Sequence, residues 1–372
     1  MKLTIISHTE HYQTDDGTIV GWGPTISEIN HLAKDFEEIY HVAFLHQVKE
    51  IPPSSLPYTA SNVHFVPLRP VGGPGILNKI RVLGSIPSVI ATVRKTLKKT
   101  DVFQLRTPTG IGVYLIPYLT LFSNKKGWYK YAGNWAQENP PLGYRLQRAM
   151  LKKQKRKVTI NGKWPGQPAH CYTFENPCLT LAEHKEGAEI TRNKTFKPPF
   201  TFCFVGRLED AKGVQRILDA LTATENRSFI KEVHLVGDGP KKEVYKSQVE
   251  KHRLPVRFHG FLEREKVFEL YKQAHFFMLP SDSEGFPKVI AEAANFGCIP
   301  MVSEVSSIGQ YVNSENGYLI TPCTSEKIHE LLIQISKTPE NEFINKASEI
   351  YKIANSFTFA HYRHRILTEI LN

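Results

Sequence analysis

Two pairs of charged side chains carry the chemistry this sequence can do. Arg207 and Lys212 stand in the stretch Gly206-Arg207-Leu208-Glu209-Asp210-Ala211-Lys212-Gly213. The planar guanidinium fits phosphate oxygens and the ammonium adds a compact point charge, so together they could neutralise a diphosphate. The second pair is Glu284 and Glu292, in Pro280-Ser281-Asp282-Ser283-Glu284-Gly285-Phe286-Pro287-Lys288-Val289-Ile290-Ala291-Glu292-Ala293. Gly285 admits close backbone approach to a ligand, and Pro287 suits the first position of a helix. The amides of Lys288 and Val289 are then expected at a helix N-terminus, a natural anion site. Glu284 falls in the loop before that helix and Glu292 more than one turn inside it. Carboxylates at such positions accept hydrogen bonds from sugar hydroxyls, often as a pair from a ribose. The alanines around Glu292 mark a close-packed helix and not a solvated one.

The surrounding pattern supplies elements to hold these residues. Short apolar runs at 201–205, 232–236, 256–258, 276–279, 299–302 and 318–320 read as strands. Helical spacing fills the intervals, as in Val214, Ile217, Leu218 and Leu221. Strands alternating with helices mean a parallel sheet covered on both faces, a doubly wound α/β domain. Ligands in such domains sit at the carboxyl ends of the strands, where both charged pairs fall. The first half repeats the plan less clearly. Strands are read at 3–6, 42–45 and 102–105, and helices at 25–36, 79–99 around Pro87, 112–121 and 144–157. A polar loop with Gly17, Gly21 and Gly23 follows the first strand. A final helix is read at 360–371.

Length and composition fit this plan. The chain has 372 residues, 41% hydrophobic and 22% charged, enough for two globular cores and unlike a disordered or fibrous chain. Its formal net charge is +11. Residues 1–180 hold 22 basic and 11 acidic side chains and residues 181–372 hold 25 of each, so the first half carries the whole excess. An anionic substrate, an anionic membrane surface or nucleic acid could each account for it. The densest runs are Arg94-Lys95-x2-Lys98-Lys99 and Lys152-Lys153-x-Lys155-Arg156-Lys157. A solvated helix end, with cations offsetting the dipole, explains such runs as readily as a patch for lipid headgroups. No zinc-finger spacing, RNP-like run or GxxG clamp supports nucleic acid. Gly237-Asp238-Gly239 is half of a dinucleotide fingerprint, but Lys242 stands at the third glycine, which argues against a nicotinamide enzyme. The five cysteines form no CxxC pair and no zinc spacing, which points to reduced thiols and a cytosolic setting. The longest apolar stretch, 111–122, is too short to span a bilayer.

Taken in order, Gly206-Arg207-x4-Lys212-Gly213, Val236-Gly237-Asp238-Gly239-Pro240, Phe258-His259-Gly260-Phe261 and Pro280-Ser281-x2-Glu284-Gly285-Phe286-Pro287-x4-Glu292-Ala293 resemble the donor domain of a family 4 glycosyltransferase of the GT-B fold. The resemblance covers about 200–321 well and the first half only in outline. It implies two Rossmann-like doubly wound domains facing across a cleft. Residues 1–178 would be the acceptor-binding domain, 179–355 the nucleotide-sugar domain, and 356–372 a helix crossing back to the first. It implies that Arg207 and Lys212 hold the donor diphosphate and stabilise it as it leaves, with Glu284 facing the sugar ring. Glu292 would bind the ribose. The backbone at Gly206, Gly237, Gly285, Phe286, Pro287 and Lys288 would line the sugar and phosphates, and that near Phe261 the nucleobase. Gly21 and Gly23 match the glycine-bearing first loop of the acceptor domain.

Many relatives carry a histidine in the loop after the strand at 102–105. This chain has Arg106-Thr107-Pro108-Thr109-Gly110 there, and Arg106 is the residue available to replace it. His8 and His11 are further candidates, or ordinary polar loop residues. The family retains anomeric configuration, with the leaving phosphate taking the acceptor proton. No Asp-x-Asp occurs, so neither metal nor cofactor is expected. The resulting expectation is a retaining, cytoplasmic glycosyltransferase, peripheral on the inner membrane face. It would move a sugar from a nucleotide-sugar to a sugar or lipid-linked acceptor in bacterial surface polysaccharide or glycolipid synthesis. Alternatives on the same fold are a synthase, a sugar-nucleotide epimerase, or an inactive basic protein that binds membranes or polyanions.

Overall fold

A computed structural model describes the chain except residues 73–74 and 76–80. Its contacts divide the chain into two units, Met1–Glu175 with Tyr362–Asn372, and Asn176–His361. The change of unit thus falls three residues before the expected 178, because Cys178 and Leu179 are buried in the second core. Residues 356–361 also stay with the second unit, where Phe357 is buried and Thr358 bridges Leu179.

The second unit holds strands β10 (Phe200–Val205), β11 (Ile230–Val236), β12 (Val256–Gly260), β13 (Phe276–Leu279), β14 (Ile299–Ser303) and β15 (Tyr318–Ile320). All pair in parallel, in the order β12-β11-β10-β13-β14-β15. Numbered within the unit this is 3-2-1-4-5-6, the doubly wound order whose direction reverses between its first and fourth strands. Continuous apolar strands make sense because helices cover both faces. Phe200, Phe202, Phe276 and Phe277 are fully or almost fully buried.

The first unit repeats the order. Strands β3 (Glu38–Leu45) and β5 (Val63–Leu68) lie on one side of β1 (Lys2–Gln13). On the other side lie β6 (Val102–Thr107), β7 (Lys126–Tyr131), β8 (Val158–Ile160) and β9 (Cys171–Thr173). All of these pair in parallel. Short strands β2 (Ile19–Trp22) and β4 (Ser55–Pro57) are added antiparallel at the end of β1. The expected glycine loop is therefore mostly hairpin. Gly21 lies in β2 opposite His11, and Gly23 opens helix α1 (Gly23–Leu32) with its amide on the Ser54 carbonyl at 2.9 Å.

Helix α2 (Ile86–Leu97) carries Pro87 in its first turn, and Lys79 and Ile80 of the expected helix lie outside the described residues. Helices α3 (Gly112–Phe122) and α4 (Leu142–Lys153) precede β7 and β8. The expected helix to residue 157 stops at Lys153, where Gln154 turns extended. Tyr362, Ile366 and Ile370 of the final helical segment pack with Leu3, Trp128 and Phe174 in the first unit's core. No helix among the described residues is long and apolar enough to cross a membrane.

Candidate functional site

The reversal of strand order in the second unit places two loops side by side, 206–213 after β10 and 280–287 after β13. They are joined backbone to backbone. The Asp282 amide donates to the Ala211 carbonyl at 2.9 Å. Gly213 has φ +81°, and a Cβ there would lie 2.0 Å from the Pro280 carbonyl oxygen. Only glycine satisfies both conditions. Arg216 ties the second loop down, through the Pro280 carbonyl at 2.9 Å and through the Asp282 carboxylate.

The loops after β11 and β12 close up on the same edge. Gly237, at φ +126°, would place a Cβ 1.9 Å from the Gly206 carbonyl oxygen. Its amide donates to Gly260 at 2.8 Å, and the Leu208 amide to Asp238 at 3.0 Å. Four strand ends thus form one glycine-rich rim.

The charged pairs lie on this rim. Lys212 Nζ donates to Glu284 Oε1 at 2.5 Å, joining the first and last loops by an ion pair. Lys212 ends a 3₁₀ turn (Asp210–Lys212), and the next helix, α6 (Val214–Ala223), begins after Gly213. The lysine therefore precedes that helix and is not part of it. Arg207 extends into solvent, with Nε 3.1 Å from Glu209. Helix α9 (Lys288–Asn295) starts one residue later than the sequence suggests, with Pro287 as its N-cap. Its first turn presents the amide donors that every helix leaves at its N-terminus. The Phe286 ring is buried, 4.7 Å from Phe357 and from Tyr311, so only its backbone can face a ligand. Gly285 lends its carbonyl to Ser307 at 3.3 Å. Phe261, after Gly260, is exposed.

Glu292 is partly buried between Ala291 and Ala293. Burial pushes its carboxyl above the usual range, against the opposing charges of Arg264 and Lys288. Arg264 is a feature the sequence reading missed. It comes from helix α8 (Arg264–Gln273) and donates to the Cys178 carbonyl at 2.5 Å and to Glu183. Glu183 in turn closes a capping box with Thr180. The Thr180-x2-Glu183 spacing was the visible signal. A raised, partly exposed carboxylate beside a fixed guanidinium can accept hydroxyl donors strongly.

The candidates in the first unit are differently disposed. Arg106 does not stand open in place of a histidine. It is buried, with Nη2 2.8 Å from Glu28 Oε1 and Nε 2.9 Å from Gln104. Lys130 Nζ reaches both oxygens of Glu28, at 2.8 and 2.7 Å. His11 is also fully buried and bonds Tyr58 at 2.8 Å; burial draws its pKa down to about 4. His8 is exposed on β1. Among the described residues no group of three His, Cys, Asp or Glu side chains is placed to hold a metal ion.

The arrangement in the second unit has counterparts. The family model of glycosyl transferases group 1 matches residues 187–354. A glycogen synthase of Mycobacterium tuberculosis is 31% identical over 127 residues, 33% of this chain and 31% of that protein. A Salmonella typhimurium glycosyltransferase named for colanic acid biosynthesis is 26% identical over 218 residues, 54% of this chain and 52% of the relative. The chain therefore spans about a third to a half of the length of these relatives. Solved structures match nearly the whole chain at low identity. Anabaena HepE in complex with UDP-glucose has a TM-score of 0.67 at 16% identity, covering 99% of this chain and 98% of that one. The lipopolysaccharide outer core galactosyltransferase WaaB has 0.66 at 16%, covering 100% and 99%. The chain has the GT-B fold of these structures, and its match to the glycosyl transferases group 1 model lies within the second unit.

Proposed function

We propose that this protein is a retaining glycosyltransferase that moves a sugar from a nucleoside-diphosphate sugar to a hydroxyl acceptor. The observation that carries this is the joined rim at the strand-order reversal. Lys212, Arg207 and the N-terminus of α9 stand on it, with Glu284 in its last loop and Glu292 one turn inside α9. Donor binding by structurally similar proteins, HepE with UDP and with UDP-glucose, supports the same reading.

Breaking the bond between the anomeric carbon and the diphosphate develops negative charge on the leaving oxygen. Lys212 and Arg207 meet that charge, and the α9 N-terminus adds its dipole. Fixed donors of this kind contribute about 3 kcal/mol each to lowering a barrier. Glu284 holds Lys212; a diphosphate that takes the ammonium would leave Glu284 for the sugar. Glu292 accepts the ribose hydroxyls, with the charge of Arg264 opposing the effect of burial on its carboxyl. Phe261 and the backbone beside it meet the base. The leaving phosphate takes the acceptor proton, so no protein base and no metal is needed. Arg106, committed to Glu28, keeps the first unit in shape and does not touch the donor.

The acceptor is a sugar or lipid-linked sugar of cell-surface polysaccharide or glycolipid synthesis, reached from the cytoplasmic face of the membrane. A synthase that extends a glucan is the second reading, favoured by the glycogen synthase similarity. Release of nucleoside diphosphate, followed with the donor that binds, tests the proposal. Turnover unchanged by EDTA and a product with the donor's anomeric configuration by NMR are expected. Inversion, or strict metal dependence, would refute it.

A further inference from the structure

Strand β1 pairs with β6 only as far as Ile6 and then runs on beyond the end of that neighbour. There it takes β2 as an antiparallel partner. Tyr12 faces Val20 and His11 faces Gly21, so the next rung sets Glu10 beside Trp22. Residues opposite one another in an antiparallel pair share a face. Trp22 is 54% exposed on that face, and Glu10 is exposed with it. Tyr12, two residues from Glu10, is buried, and its hydroxyl donates to Glu10 Oε2 at 2.6 Å, which fixes the carboxylate. His8 is exposed as well, and close enough to Glu10 for the carboxylate to act on its ionisation. Desolvation and the Arg106 charge outweigh that effect and draw the His8 pKa below its ordinary value. The imidazole is then neutral at neutral pH and able both to donate and to accept.

The backbone that carries the indole is held from both sides. A Cβ on Gly21 would lie 2.6 Å from the His11 ring, and one on Gly23 2.6 Å from the Ser54 carbonyl oxygen. The Gly23 amide donates to that same carbonyl at 2.9 Å. Along its other edge β2 pairs with β4, where Ser55 stands opposite Trp22. A lone exposed apolar side chain asks for no explanation. An indole on a fixed hairpin, bordered by a carboxylate and an imidazole, is a different feature. It offers aromatic area at little conformational cost, next to groups that bind hydroxyls.

A pyranose ring matches this set of groups. One face of the ring presents C–H bonds, whose slight positive charge is drawn to the negative face of an aromatic ring. Its rim presents hydroxyls, which the carboxylate accepts from and the imidazole can bind in either sense. The location agrees, since ligands of doubly wound units bind beyond the carboxyl ends of the strands. We propose that Trp22 is the platform on which the terminal pyranose of the acceptor stacks, with Glu10 and His8 holding its hydroxyl rim. The Glu10 carboxylate makes a neutral sugar the favoured occupant. This names the acceptor chemistry of the proposed transferase and rests on that reading.

The test is saturation-transfer NMR of the full chain with the methyl pyranosides of glucose, galactose, mannose, N-acetylglucosamine and glucuronic acid. Acrylamide quenching of tryptophan fluorescence is read on the same samples. Trp128 and Trp135 are buried and Trp164 is half-buried, so the quenching reports chiefly on Trp22. At least one neutral pyranoside should receive saturation through its C–H protons and protect wild type from acrylamide, and the glucuronide should bind more weakly. Trp22→Ala should weaken the binding about thirtyfold, the loss of a central aromatic anchor, and Trp22→Phe should recover part of it. Glu10→Gln should cost about tenfold, the worth of a hydrogen bond to a charged group, and should abolish the discrimination against the glucuronide. All the variants should keep the wild-type melting point and the wild-type stabilisation by UDP, which reports the donor site separately. No saturation of any neutral pyranoside, a glucuronide bound best by wild type, or a Trp22→Ala variant that binds like wild type would overturn the proposal. Pyranoside binding without stabilisation of wild type by UDP would instead count against the transferase reading and leave the Trp22 site to stand on its own.

Discussion

Replacing Lys212 by alanine separates what the Lys212–Glu284 pair does for the fold from what the lysine does for catalysis. The pair is 2.5 Å long, with 28% and 11% of the two side chains exposed. That places it between a surface pair, worth about 0.2–1 kcal/mol, and a broken buried pair, costing about 3–5. With solvent screening, a loss of about 1–2 kcal/mol is expected. For a domain the size of the second unit this lowers the melting temperature by about 2–8 °C. Catalysis should suffer more. Removing one fixed donor from a developing oxyanion costs about 2.7–4 kcal/mol, or roughly 100- to 1,000-fold in kcat. The assay is nucleoside diphosphate release at a temperature well below the variant's melt, with circular dichroism on the same samples. Glu284→Gln is the control, since it breaks the ion pair and keeps the ammonium. If Lys212→Ala melts lower but turns over within about threefold of wild type, the lysine is a structural tie and the reasoning fails.

Other changes test neighbouring parts of the account. Glu292→Gln should weaken donor binding by about tenfold to a hundredfold, the worth of charge-assisted hydrogen bonds to a ribose, while the melting temperature holds or rises. The sign follows from burial. A carboxyl raised by burial destabilises the fold once it ionises, so the stability it withholds returns as pH falls through its folded value, and a neutral amide removes the penalty at every pH. Gly213→Ala should lower stability by about 1–2 kcal/mol through left-handed strain. It should also disturb the donor loop, because its Cβ must push the Pro280 carbonyl away; normal donor affinity in this variant would contradict the joined rim. Glu28→Gln should destabilise the first unit by about 3–5 kcal/mol, since it leaves Arg106 and Lys130 buried without their anion. Urea titrations will show whether Arg106→Gln costs less, as it should. Burial draws the His11 pKa down to about 4 from 6.5, so neutral His11 supports the fold above pH 6.5. That support should be lost progressively down to about pH 4, by up to about 3 kcal/mol. His11→Gln should flatten this part of the stability profile.

The second unit was legible because its strands are continuous apolar runs between turn residues. The run at 276–279 matches β13 and the run at 318–320 matches β15, with no polar residue to confuse the period. The charged pairs could be read because each follows such a run directly. The first unit resisted for a physical reason. Its β1 continues past Ile6 through Ser7, Thr9 and His11, residues that in isolation look like loop. They are buried because they satisfy one another: Ser7 bonds His41 at 2.7 Å, His41 bonds Tyr58 at 2.6 Å, and Tyr58 bonds His11. β7 was missed likewise, as Lys126-Gly127-Trp128-Tyr129-Lys130-Tyr131 hides a lysine buried on Glu28. Partners far apart in sequence make those polar residues tolerable inside, and a local pattern cannot display them. For the same reason Arg106 looked available when it is committed, and Arg264 passed unnoticed.

The central claim is that the rim of the second unit binds a nucleoside diphosphate sugar. Thermal shift of wild type, Lys212→Ala and Glu292→Gln against UDP, GDP, ADP and their sugar conjugates tests it most directly, because a ligand bound to the native state raises its melting temperature. The account predicts that one nucleotide series raises the wild-type melt and that both variants respond only at far higher concentration. No response to any nucleotide, or equal responses from all three proteins, would contradict it.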